Sequence, residues 1–201
     1  AIAAFKSHCS TQQVVCRRIE YEQKDPFTAM IAEARYNDLT IFGLRSIFDY
    51  GFTSDTDKPI VKLVTQGVRP ILAVAENFRP IKKALIAYSG SMESAKAIRH
   101  FLHLKPWPDV KLHIVHFNEG GDKEPFLVKD AADFCDAHGF EVQTDMLDGQ
   151  ARSDLLHFAK EVDADLIVMG NSVHKTLHKQ LLGDTVLETI KAADRPLFLS
   201  Q

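Results

Sequence analysis

"ADLIVMG", Ala164 to Gly170, is an apolar block held between an acid and a glycine, and it has a counterpart in "NDLTIFG", Asn37 to Gly43. A second pair follows in the same order, "RPILAV" from Arg69 and "RPLFLS" from Arg195. Gly43 and Gly170 lie 127 residues apart, and Arg69 and Arg195 lie 126 apart, so the copies keep register to within one residue. A repeat of this length means one structural plan used twice, and it governs the reading of every single motif.

The second copy reads as strands alternating with helices. "IKKALIAY" (81–88) is apolar enough for a buried strand. In "SMESAKAIRHFLHL" (91–104), Ala95, Ile98, Phe101 and Leu102 recur at helical spacing behind Ser91, an N-cap residue type. "VKLHIVHF" (110–117) is the next strand, residues 123–138 the next helix and "FEVQTDML" (140–147) the third strand. Ser153 or Asp154 then opens a helix with Leu155, Phe158, Ala159 and Val162 on one face. "DLIVMG" is the fourth strand, a helix carries Leu182, Val186 and Ile190, and "RPLFLS" is the fifth strand. This alternation predicts an α/β fold, an open five-stranded parallel sheet with helices on both faces, Rossmann-like in plan. The repeat divides the chain into a complete second domain, 79–201, and the C-terminal half of a first domain, 1–76. Residue 1 aligns with residue 128, inside the second helix of the complete copy, so the chain reads as a piece of a longer tandem protein. "ENFRP" (76–80) is the only linker expected.

Composition excludes several classes. With 201 residues, 45% hydrophobic and 25% charged, the chain has the makeup of a globular protein. Its apolar runs fall far short of the roughly 20 residues that span a bilayer. A formal net charge of -3 gives no electrostatic reason for a nucleic-acid partner. Cys9, Cys16 and Cys135 are odd in number and form no CxxC pair, which argues against a disulfide framework or zinc ribbon and for a reducing cytoplasm.

The chemistry points to a phosphate. A strand ending in Gly170 leads through a polar segment to Gly183 and a helix start, the way open α/β folds present backbone N–H groups to an anion. Neither GxxxxGK[ST] nor GxGxxG occurs, which removes the commonest nucleoside triphosphatase and dehydrogenase readings. His174 and His178 lack further ligands at metal spacing, so no metal is expected. His113 and His116, three apart on a strand, face opposite sides, one toward the core and one toward the sheet end. Cys135 and His138 share a helix without an oxyanion hole or orienting acid nearby, and no catalysis is expected there. Lys175, Lys179 and Lys191 flank the loop and read as solvated lysines.

Four segments in order, "ALIAYSGSMESAKAI", "LHIVHF", "ADLIVMG" and "ADRPLFL", resemble the universal stress protein family, its tandem-domain members in particular. The resemblance implies a non-enzymatic stress-response protein with ATP or AMP as candidate ligand in the second domain. Nucleotide-binding members carry a glycine, two residues, a second glycine, nine residues, then a glycine and a Ser or Thr. Here those positions hold Gly170, Asn171, Ser172, Val173 and then, after nine residues, Gly183, Asp184 and Thr185. Val173 restricts φ and blocks close approach, and Asp184 brings a negative charge in place of a hydroxyl. Thr185 keeps a hydroxyl at the helix start. Ser89 stands where the family has a nucleoside-binding acid after the first strand, and by resemblance Phe117 lies beside an adenine and recognises it through its backbone. The first copy departs further: Leu44, Arg45 and Ser46 follow Gly43, and Gly51 and Thr53 replace the downstream pair poorly. The alternative implied is a dimerisation module with a decayed cleft. The resemblance also implies partner domains of the same type, as an intrachain pseudo-dimer and a homodimer, with "RPILAV" and "RPLFLS" forming the seam.

Overall fold

The computed structural model describes residues 2–16, 26–44, 70–120, 125–171, 173–176 and 179–200. Two helices, α1 (Ile2–Thr11) and α2 (Pro26–Ala34), precede the strands β1 (Thr40–Gly43) and β2 (Ile71–Val74). There follow β3 (Lys83–Ala87), α3 (Met92–Leu104), β4 (Lys111–Asn118), α4 (Pro125–Ala137), β5 (Val142–Asp148) and α5 (Ala151–Glu161). The chain continues through β6 (Leu166–Gly170), β7 (Val173–Thr176), β8 (Lys179–Leu182), α6 (Asp184–Ala192) and β9 (Leu197–Ser200).

Seven of these strands form one sheet in the order β1-β2-β9-β6-β3-β4-β5. The expected five-stranded parallel block is present as β9-β6-β3-β4-β5. Residues alternate between its faces, as a strand's period of two requires. Leu85, Val115, Phe117, Ile167, Met169 and Leu197 meet Leu155 and Phe158 of α5 and Val186 and Ile190 of α6. Ala84, Ile86, Leu112, Ile114, Val168 and Phe198 meet Ile98, Phe101 and Leu102 of α3 and Val128 and Cys135 of α4. Phe101 and Phe198 pack edge to face with centroids 5.2 Å apart, a geometry worth about 1 kcal/mol beyond the area buried.

The two segments expected to meet, "RPILAV" and "RPLFLS", do pair in the sheet. β2 pairs antiparallel with β9 through Ile71↔Leu199, Leu72↔Phe198 and Ala73↔Leu197. Thr40 pairs with Ile71 in parallel, as Ile167 does with Leu197, so both sides of the seam share one register.

Three local expectations are corrected. Helix α5 starts at Ala151 behind Gln150, and Ser153 and Asp154 lie within its first turn. Gly149 lets the chain turn close enough for the Asp154 carboxylate to accept from the Gln150 N–H at 2.9 Å, and an added Cβ would sit 2.4 Å from that oxygen. Leu182 belongs to β8 and not to the last helix. The segment after Gly170 is not a loop but a two-stranded antiparallel ribbon, β7 with β8. The calls on Arg45, Ser46, Gly51, Thr53 and His178 lie outside the described residues. Ser91 caps α3 as expected, accepting from the Ser94 N–H.

Arg195 fixes the end of α5 against β9. Its guanidinium, buried at 4% exposure, donates to the carbonyls of Ala159 and Ala164 and to the Asp194 carboxylate. The hydrogen bond from Arg195 is the largest cause holding the Asp194 carboxyl below its ordinary range, burial opposing it. A carboxyl depressed in the folded state adds stability above its unfolded pKa and loses it as pH falls through the folded value. Asp194→Asn is therefore expected to flatten the acid limb of stability, read by urea unfolding between pH 2 and about 5. Equal slopes for parent and variant would show that the pair adds nothing.

Candidate functional site

The strand order places β3 beside β6 with their following helices on opposite faces, the switch point where open α/β sheets leave a crevice at the carboxyl ends of the strands. A cleft of about 710 Å³ lies there. Its floor is made by Ala87 at the end of β3 and Tyr88 just beyond it, Val115 to Asn118 on β4, and Met169 and Gly170 on β6. Ser91 and Ser94 at the start of α3, Leu127 of α4, Ala151 of α5 and Gly183 to Val186 of α6 form its walls, so four helix N-termini converge on one space.

Of the eight residues marked in the sequence, Ser89, Phe117, Gly170, Gly183, Asp184 and Thr185 line this cleft. Asn171 does not: it is buried, and its backbone N–H donates to the Ser200 carbonyl at 2.7 Å. Val173 falls on β7, and its side chain lies outside the described atoms.

Gly170 has a different reason from the one its motif suggests. A Cβ there would lie 2.5 Å from the backbone carbon of Glu93 and from the Ser94 nitrogen, so the glycine exists to let α3 cross the end of β6. Gly183 is the N-cap of α6 at φ −58, a conformation open to any residue. Asp184 lines the rim of the cleft beside α5, where Arg152 reaches both Asp184 and Glu188 at 3.4 Å.

Hydroxyls dominate the α3 end. Ser89 Oγ lies 3.0 Å from Ser91 Oγ and 3.4 Å from Ser94 Oγ, and Ser94 Oγ donates to the Ser91 carbonyl at 2.8 Å. His116 Nδ1 donates to the Tyr88 carbonyl at 2.9 Å, which fixes its ring at the floor. The Phe117 ring is turned into the core, edge to face with Phe158 at 6.5 Å. Burial leads the causes that raise the Tyr88 hydroxyl above its ordinary range.

Sequence reading missed two residues that matter, Glu119 in the cleft and Arg152 next to the lining residue Ala151. Glu119 Oε1 accepts from the Ala151 N–H at 3.0 Å, occupying the first turn of α5, and Arg152 gathers the acids of α6. Neither belongs to a motif; their only signal is position just beyond β4 and just inside α5.

Other candidates lose their chemistry. Cys135 is buried, and burial pushes its thiol up to about 12, which rules out a thiolate at neutral pH. His138 Nδ1 donates instead to the Phe134 carbonyl at 2.8 Å. His113 is buried with Nε2 2.7 Å from Asp145, as the core half of the histidine pair. A second hollow of about 710 Å³ lies at the opposite ends of β3 and β4. Its polar groups are committed to the fold: Lys83 Nζ donates to the Val162 carbonyl, and Asp165 accepts from the Lys82 and Lys83 N–H groups. Among the described residues, no three His, Cys, Asp or Glu side chains gather as a metal site, and no helix is long and apolar enough to cross a membrane.

The universal stress protein family model matches residues 121–200. A universal stress protein of Synechocystis is 24% identical over 132 residues, 64% of this chain and 46% of that protein. The chain thus spans about half the length of that curated relative. A universal stress protein structure from Archaeoglobus fulgidus superposes with TM-score 0.70 at 21% identity, covering 88% of this chain and 65% of that one. A universal stress protein solved in complex with cAMP superposes with TM-score 0.53 at 22% identity, covering 61% of this chain and 98% of that one.

Proposed function

We propose, for a chain whose residues 121–200 belong to the universal stress protein family, that the switch-point cleft holds an adenine nucleoside or nucleotide without transforming it. The observation that carries this reading is the meeting of Ser89, Phe117, Gly170, Gly183, Asp184 and Thr185, spread over nearly a hundred residues, in one cleft at the carboxyl edge of the sheet. The cAMP complex of a protein with the same fold supports the ligand class. The protein is a cytoplasmic stress-response binder, and ligand occupancy is its signal.

We propose also that its two halves are copies of one plan, meeting at β2 and β9, with further domains of the same type as partners. The equal registers on the two sides of the seam support this.

Calorimetric titration with adenosine, AMP and ATP tests the binding. One site per chain is expected. Ala151→Trp, at the cleft wall and at the first position of α5, is expected to weaken binding at least about tenfold, since an indole fills the space while the backbone N–H stays capped. ATP recovered unchanged after incubation supports the non-catalytic role, and its turnover overturns it. Absence of heat with all three ligands leaves the dimerisation module as the better reading.

A further inference from the structure

Four helix N-termini face the cleft, and they differ in the side chains they present to it. A phosphate tail seeks such ends, because their N–H groups and dipoles favour negative charge. At α5 the place is taken: Glu119 Oε1 holds the Ala151 N–H at 3.0 Å and Asp154 Oδ2 holds the Gln150 N–H at 2.9 Å. At α6 the first residue is itself an acid, Asp184, its side chain 77% exposed at the rim. No lysine or arginine lines the cleft among the described residues. Arg152, next to the lining residue Ala151, is engaged by Asp184 and Glu188. At α4 the lining side chain is the apolar Leu127; at α3, whose first turn also holds Glu93, the side chains that line the cleft are Ser89, Ser91 and Ser94, hydroxyls that match the donors and acceptors of a ribose.

We infer that this cleft selects an adenine nucleoside carrying at most one negative charge, and discriminates against the triphosphate through Glu119 and Asp184. The inference rests on the nucleoside reading of the cleft and adds the charge of its ligand. The serine cluster at α3 receives the sugar or a single anionic ester. A chain of phosphates extending from it toward α5 or α6 meets the Glu119 or Asp184 carboxylate, where two like charges about 4 Å apart repel by roughly 1 kcal/mol in water and more in a partly dried site.

Titration of the intact chain with adenosine, cyclic AMP, AMP and ATP, at low and at moderate salt, tests this. Affinity is expected to fall from adenosine and cyclic AMP through AMP to ATP, with ATP at least about tenfold weaker than adenosine. Salt is expected to narrow the gap by screening. The double variant Glu119→Gln with Asp184→Asn keeps an oxygen for the Ala151 N–H and removes both charges. It is expected to narrow the gap between ATP and adenosine about tenfold, by raising ATP affinity more than adenosine affinity. Tightest binding by ATP in the parent overturns the inference while sustaining the nucleotide reading. In that event, a loss of ATP affinity in Lys175→Ala with Lys179→Ala would assign the attraction to the ribbon lysines. No binding by any of the four overturns both readings. Equal gains for ATP and adenosine in the double variant also overturn the inference, since they would mark a change in cleft shape and not in charge.

Discussion

Gly170→Ala is expected to lower the unfolding free energy by about 3 kcal/mol, the upper part of the range for forced overpacking. The methyl group would stand 2.5 Å from the Glu93 carbon and the Ser94 nitrogen and 2.6 Å from the Glu93 oxygen, all backbone atoms of the first turn of α3. Neither side can yield cheaply. Gly170 is paired with Ser200 in the sheet, and the next residue, Asn171, donates to the Ser200 carbonyl. The α3 turn is tied by the Ser91 cap, and its buried face carries Ile98, Phe101 and Leu102. Gly139→Ala is the matching control: nothing lies within 4 Å of an added Cβ, and only the left-handed φ of +83 is strained, at a cost of about 1 kcal/mol. Urea unfolding of the two variants separates the causes. Equal losses would mean that α3 does not press on β6, and the cleft geometry would fall with it. Because α3 supplies the serine wall, Gly170→Ala is also expected to weaken any nucleoside bound there.

The same glycine shows where sequence reading reaches and where it stops. Its place at the end of an apolar block before a helix-forming run was legible, and so was its membership of a cleft. The partner that makes it obligatory was not, because the first turn of α3 lies some 75 residues earlier in the chain and no local pattern records a crossing. The strands β3, β6 and β9 were legible for a simple reason: each is a nearly continuous apolar run, the pattern of a strand buried on both faces, and β4 keeps that pattern around His113 and His116. The ribbon β7 with β8 was not. "VHKT" and "KQLL" are largely polar, carry no glycine or asparagine at the turn, and run into Leu181 and Leu182, which imitate the start of the following helix. Asp184 was correctly read as a negative charge at the α6 start, but its engagement by Arg152 came from the packing of α5 against α6, a tertiary fact.

The seam between β2 and β9 is expected to carry the largest single-residue effect. Leu197 is fully buried on the face shared with Val186 and Ile190, while its neighbour in register, Ala73, sits directly across the antiparallel pair. Leu72 lies on the other face, opposite Phe198 and in the cluster with Phe101. Leu197→Asp is expected to cost about 4 kcal/mol or more, because an unpaired carboxylate there has neither water nor a cation to offset its desolvation. Leu197→Ala, at about 3 kcal/mol, keeps the measurement interpretable should the acid variant fail to fold. Leu72→Asp acts on a strand outside the five-stranded parallel block, so it is expected to release β1 and β2 while that block stays folded. Amide hydrogen exchange distinguishes the two outcomes. In Leu72→Asp, protection is expected to fall at Ile71 to Val74 and at the β9 amides that face them, and to persist at β3, β4 and β6, whose ladders do not touch β2. Uniform loss across all strands would instead make the seam part of one cooperative core, and unchanged protection at β2 and β9 would show that these strands do not hold the halves together.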